Sequence, residues 1–217
     1  MRLFEHRDFD QAVLQASEHF RDRGLRPALI EKDYYVTEAL RIIASQFADK
    51  VIFKGGTSLL SLGAEDEGGF SMRLLHFRRT FVEKLFAIHG KVELLKRDGR
   101  PVGSYARHYY DLFQLAGQRE VTDMLATDEY AAIKTDYDAI SRDYSVQSYF
   151  PPQGMSFANS DALFPPERLE IVLGEEYETQ CRQLCLGPYP SAWWARQDGV
   201  TFLLTISVSR YIVRCHG

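Results

Sequence analysis

The stretch Val51-Ile-Phe-Lys-Gly-Gly-Thr-Ser58 constrains this chain more than any other. Three apolar, β-prone residues run into a lysine, two glycines and two hydroxyls, and Leu59, Leu60 and Leu62 then resume an apolar pattern. The order predicts a strand, a tight turn and the start of a helix. Gly55 and Gly56 permit a sharp bend and a close approach of a ligand to the main chain. Free N–H groups at a helix start, with the Thr57 and Ser58 hydroxyls, suit a phosphate, and Lys54 adds a positive charge beside them. The same residues also suit a plain strand-to-helix turn. The spacing is not that of a Walker A loop, which sets its glycines further apart and puts a lysine before the hydroxyl residue.

Composition excludes some classes of function. The 217 residues are 45% hydrophobic and 26% charged, enough apolar material for a sizeable core. The net charge of -4 gives no global basic field for nucleic acid, although a local basic groove is compatible with it. No apolar run is long enough to span a bilayer, and the first eight residues turn charged too soon for a signal peptide. Cys181, Cys185 and Cys215 are few and odd in number, which predicts a reduced, cytoplasmic chain. Cys181 and Cys185 would share a helix face as buried thiols, with no histidine pair nearby to make a zinc site.

Helical periodicity is present over residues 8–23 and 28–47, with Gly24 as a left-handed stop and Pro27 at a first helical position. Glu31, Lys32 and Asp33 read as a solvated face of the second helix. Residues 63–69 form an acidic, glycine-flanked loop, and residues 71–77 are predicted as a strand. Residues 79–89 are helical, with Thr80 and Glu83 at capping-box spacing. A further helix over 105–115 has Ser104 as its N-cap, and Arg107 and Asp111 sit at i, i+4, a spacing at which the two could simply pair with each other. Helices follow over 121–127, 129–142 and from Pro165 to about 186. Between them, residues 149–166 read as an extended loop pinned by Phe150, Phe157 and Phe164. Residues 201–213 are β-branched and apolar, as in a strand.

Four stretches in this order resemble a known family. They are Glu31-Lys-Asp-Tyr-Tyr-Val36, Phe53-Lys-Gly-Gly-Thr-Ser-Leu59, Arg79-Thr-Phe-Val-Glu-Lys-Leu85 and Tyr105-Ala-Arg-His-Tyr-Tyr-Asp-Leu112. Together, over residues 8–190, the chain resembles the AbiEii/AbiGii abortive-infection toxins, nucleotidyltransferases of the DNA polymerase β-like superfamily. The resemblance implies that Gly55, Gly56, Thr57 and Ser58 hold the triphosphate of a nucleotide, beside the charge that Lys54 supplies. It implies that Lys84 neutralises phosphate charge and that Asp111 is needed for activity. It also implies Mg²⁺ as cofactor, a nucleoside triphosphate as substrate, an RNA such as tRNA as acceptor, a cognate antitoxin as partner, and a place in phage defence.

One departure matters. The family carries an Asp-x-Asp pair on the strand after the glycine turn, and no such run follows the turn here. The nearby acids are Glu65, Asp66 and Glu67, weak metal candidates in a glycine-flanked loop, with Asp111 the other metal candidate. The chain also passes from the turn to the lysine motif in fewer residues than the family uses. The fold expected is therefore α+β: a reduced nucleotidyltransferase-like mixed sheet from residues 51–53, 71–77 and 201–213, with a mainly helical C-terminal part. Residues 1–78 would hold the N-terminal helices and reduced core, 79–190 a helical domain, and 191–217 an atypical tail. A non-catalytic relative that binds nucleotide or an antitoxin is the alternative function, its partner surface drawn from the Tyr and Phe residues of 105–110 and 149–164.

Overall fold

A computed structural model describes residues 2–47, 50–54, 70–145, 147–184 and 189. The chain divides after Leu75 into two compact units, Met1–Leu75 and His76–Gly217.

In the first unit, α1 (Phe9–His19) packs on α2 (Pro27–Phe47). A short 3-10 turn, Arg21–Arg23, ends at Gly24, whose φ of 69° closes the first helix before Pro27 opens the second. Phe9, Val13, Leu25, Ile30 and Tyr34 form the core between them, and the Tyr34 hydroxyl accepts a hydrogen bond from the Phe4 N–H. One turn further along α2 the buried face becomes charged. Glu38 is paired with both Arg2 and Arg41, and Arg41 lies over the ring of Phe70. Glu31 and Lys32 are exposed and Asp33 is half-buried, where burial raises its carboxyl.

The expected mixed sheet is absent among the described residues. Residues 51–53 and 71–77 contribute one isolated parallel bridge, Phe53 to Leu74, closed by the Phe53 N–H on Arg73 O and the Leu75 N–H on Phe53 O. Two such segments cannot bury a sheet face without further strands. Phe77, placed in the strand by its apolar character, instead begins a helix. Residues 201–213, the third strand of the expectation, lie outside the described residues, as does all of 191–217. What is described is nearly all helical.

The second unit is built round α3 (Phe77–Asp98). Residues 81–86 are buried at every position, so this helix is enclosed on all sides and has no solvated stripe at that level. Its N-cap is His76, whose Nδ1 accepts the Arg78 N–H, and not Thr80 as the capping-box spacing suggests. Against α3 pack α4 (His108–Ala116), α5 (Arg119–Met124) and α6 (Asp128–Tyr144). α7 (Glu167–Leu184) packs on the 3-10 turn Gly103–Arg107 that leads into α4, burying Leu173, Tyr177 and Cys181 at i, i+4 spacing. Segment 149–166 is pinned as its aromatics suggest. Phe157 is fully buried against Phe86 and His89, the Tyr109 hydroxyl donates to Ala162 O, and His89 Nδ1 lies 2.7 Å from the Ser160 hydroxyl.

Candidate functional site

The central helix fixes the first side chain of the site. Lys84 is one of the enclosed residues of α3, and its side chain is only 10% exposed. An ammonium so placed needs partners, because an unpaired buried charge is costly. α4 supplies them. His108 is its first residue and Asp111 stands three further on, so both side chains lie on one helix face. Lys84 Nζ donates to Asp111 Oδ2 at 2.6 Å and lies 3.1 Å from His108 Nδ1, while His108 Nδ1 lies 3.2 Å from the same carboxylate oxygen. Three polar atoms thus form a triangle across 27 residues of sequence.

Burial sets the protonation of the cluster. It pushes the His108 imidazole below its ordinary value and the Lys84 charge adds to that, while the Asp111 contact opposes it without reversing it. For Asp111, burial alone would raise the carboxyl. Contact with His108 and the Lys84 charge outweigh that and hold it below the usual carboxylate range. At neutral pH Asp111 is therefore a carboxylate and His108 a neutral ring.

The Arg107–Asp111 pair expected from i, i+4 spacing does not form. Arg107 belongs to the 3-10 turn before α4 and is exposed. Asp111 turns instead to Lys84 and His108. Glu83, next to Lys84, faces the other way. It accepts from Arg79 Nε at 3.0 Å, and Arg79 Nη2 also reaches Asp136 of α6 at 2.5 Å. Sequence reasoning missed His108 and the Arg79–Glu83–Asp136 group. The signals were there, in the i, i+3 spacing of His108 to Asp111 and the i, i+4 spacing of Arg79 to Glu83.

Of the other sequence candidates, Lys54 is exposed beside the bridge residue Phe53. Gly55, Gly56, Thr57, Ser58, Glu65, Asp66 and Glu67 lie outside the described residues. Among the described residues no group of three or more His, Cys, Asp or Glu side chains stands together as a metal cage would. Asp111 does not fit a divalent cation, since its inward oxygen already carries an ammonium and an imidazole contact, and Mg²⁺ demands near-octahedral oxygen ligands.

The profile of the family described as "Nucleotidyl transferase AbiEii toxin, Type IV TA system" matches residues 60–184, more than half of the chain. The chain belongs to the AbiEii toxin family. Lys84 and Asp111 both fall inside the matched span, while Gly55, Gly56, Thr57 and Ser58 precede it in sequence. The AbiEii family is one of nucleotidyl transferase toxins of type IV toxin–antitoxin systems. No curated protein and no solved structure gives a match to the chain. No helix among the described residues is long and apolar enough to cross a membrane.

Proposed function

We propose that this AbiEii-family chain transfers a nucleotide from a nucleoside triphosphate to an RNA acceptor such as tRNA. The acceptor hydroxyl attacks the α-phosphorus, pyrophosphate leaves, and the hydroxyl proton passes to solvent. Such a reaction is catalysed mainly by positioning and by neutralising charge on the phosphates. The observation that carries the reading is the 2.6 Å contact of Lys84 with Asp111 inside the matched span. An ammonium has three N–H donors; Asp111 takes one and His108 Nδ1 can take a second, which leaves at least one to meet a phosphate oxygen. Asp111 holds that ammonium in place. Lys54, Gly55, Gly56, Thr57 and Ser58 would cradle the triphosphate, and Mg²⁺ would have to draw its ligands from residues such as Glu65, Asp66 and Glu67. The setting is the cytoplasm of a cell in which a cognate antitoxin restrains the toxin and its release defends against phage.

A second reading has its own observation in favour. Asp111 is committed to Lys84 and His108, as in a protein that binds nucleotide or an antitoxin without transferring anything. One experiment separates the two. Each labelled triphosphate is incubated with bulk tRNA and the full chain, with and without Mg²⁺. Label on tRNA, abolished by Asp111→Asn, supports transfer. Triphosphate binding without any label transfer removes the enzyme reading and leaves the binding one.

A further inference from the structure

We propose that His108 is a positioning residue of this site, fixing the Lys84 ammonium against Asp111 through its Nδ1. Its bearing on triphosphate binding rests on the function proposed above. The bond between Lys84 and Asp111 defines one direction for the ammonium and leaves it free to swivel about that line. A lysine side chain has a flexible four-carbon stem, so a single partner does not aim its remaining donors. His108 Nδ1 supplies the second point, 3.1 Å from Lys84 Nζ and 3.2 Å from Asp111 Oδ2. Whether Nδ1 accepts from the ammonium or donates to the carboxylate, the ring ties both partners together.

The ring is itself held. Tyr105 meets it at right angles, with ring centroids 5.4 Å apart, and the Lys91 ammonium sits 4.1 Å from the centre of the Tyr105 ring. The His108 side chain is 16% exposed, and its Nε2 has no hydrogen-bond partner among the described residues. Its hydrogen-bond contacts among the described residues therefore act through Nδ1. Burial favours the neutral form, which spares Lys84 a second cation beside it. Nothing else among the described residues explains why a histidine, and not an apolar residue, closes the contact between α3 and α4 at this point.

The test exploits the shapes of the substitutes. Asparagine puts an amide oxygen or nitrogen where Nδ1 stands, and leucine puts a methyl group there. In ¹⁵N-detected spectra of the full-length protein at low temperature, the wild type is expected to show a resolved Lys84 ammonium signal, assigned by its loss in Lys84→Arg. That signal should persist in His108→Asn and vanish in His108→Leu. Titration with labelled nucleoside triphosphate should weaken by about tenfold in His108→Leu and by much less in His108→Asn, as expected for a hydrogen bond to a charged group. Circular dichroism melts confirm that each variant folds. A Lys84 signal unchanged in folded His108→Leu overturns the inference, as does equal loss in both variants. Should the wild type bind no triphosphate, the proposed function fails, and the ammonium spectra still decide the role of His108.

Discussion

The cluster of Lys84, His108 and Asp111 gives predictions that belong to single residues. Replacing Asp111 with Asn leaves the Lys84 ammonium nearly buried with no counter-charge. Breaking such a pair costs about 3–5 kcal/mol when fully buried, and the quarter exposure of the Asp111 side chain reduces this to about 2 kcal/mol. Lys84→Met alone is expected to cost a similar amount. The double variant Lys84→Met, Asp111→Leu is expected to recover most of the loss, because apolar replacements remove the unpaired charge. Chemical denaturation of all four proteins measures the coupling, and strictly additive losses would show that the pair is not a unit. A second prediction concerns pH. Burial lowers both His89 and His108, so the folded chain prefers neutral rings and the unfolded chain takes up protons first. Stability should therefore be full above about pH 6.5 and fall as pH drops below it, by at most about 1.4 kcal/mol per pH unit for each ring. His89 faces Ser160, Glu93, Lys96 and Asp161, and His108 faces Lys84, Asp111 and Arg107. The Asp111 contribution has the same sign in a lower window, since its depressed carboxyl is lost only as pH falls below about 4. Melting points between pH 7 and pH 5 should flatten when His89 and His108 are both Asn, and an unchanged slope would remove this account. The order of motifs singled out Lys84 and Asp111, and the fold brings the two into contact. His108 was not, because Arg107 at i, i+4 looked the better partner for Asp111. That rule needs both residues in one α-helix, and α4 begins only at His108.

At the scale of elements, the sequence located helices well and their ends and neighbours less well. Apolar spacing at 3.6 residues is a strong signal, and α1, α2, α6 and α7 lie close to where it placed them. The start of α3 shifted because Phe77 packs on the core and His76 can cap, while Thr80 falls inside the helix. The β-prone stretch 71–77 failed for a related reason: β propensity describes how a residue fits a pleated surface, and among the described residues a single bridge offers such a surface. Gly90 of α3 and Gly99 just beyond its end give contrasting predictions. Gly99 ends the helix at φ 67° and donates its N–H to Leu95 O, with open space around the position of a Cβ. Gly99→Ala should therefore cost about 1 kcal/mol through backbone conformation alone. Gly90 lies within the helix, and an added Cβ would meet only the Ser148 carbonyl at 3.8 Å, an ordinary contact. Gly90→Ala should stabilise by about 0.5–1 kcal/mol through helix propensity. Urea midpoints at constant slope read both changes, and a loss at Gly90 would mean that the Ser148 segment cannot accommodate the methyl group.

At the scale of the whole chain, the two units carry separate cores of unequal size. Met1–Leu75 relies on a cluster of Phe9, Val13, Leu25, Ile30 and Tyr34, with the Arg2–Glu38–Arg41 group beside it. His76–Gly217 has a far larger cluster, running from Phe81 on the central helix to Cys181 on α7. A unit with its own enclosed core can unfold as its own cooperative step. The larger unit also contains the whole Lys84–His108–Asp111 triangle, so the geometry of that triangle should not depend on the smaller one. The matched span ends with α7 and covers every described helix of the larger unit. A chain begun at His76 is thus expected to give a single thermal transition and the same Lys84 ammonium signal as the full protein. Within the full protein, Leu85→Ala should lower the stability of the larger unit by about 2–5 kcal/mol. Ile30→Ala should raise hydrogen exchange only in α1 and α2. A shortened chain that melts without cooperativity, or an Ile30→Ala variant in which exchange rises equally in α3 and α4, would show that the larger core needs the smaller one to hold its site in shape.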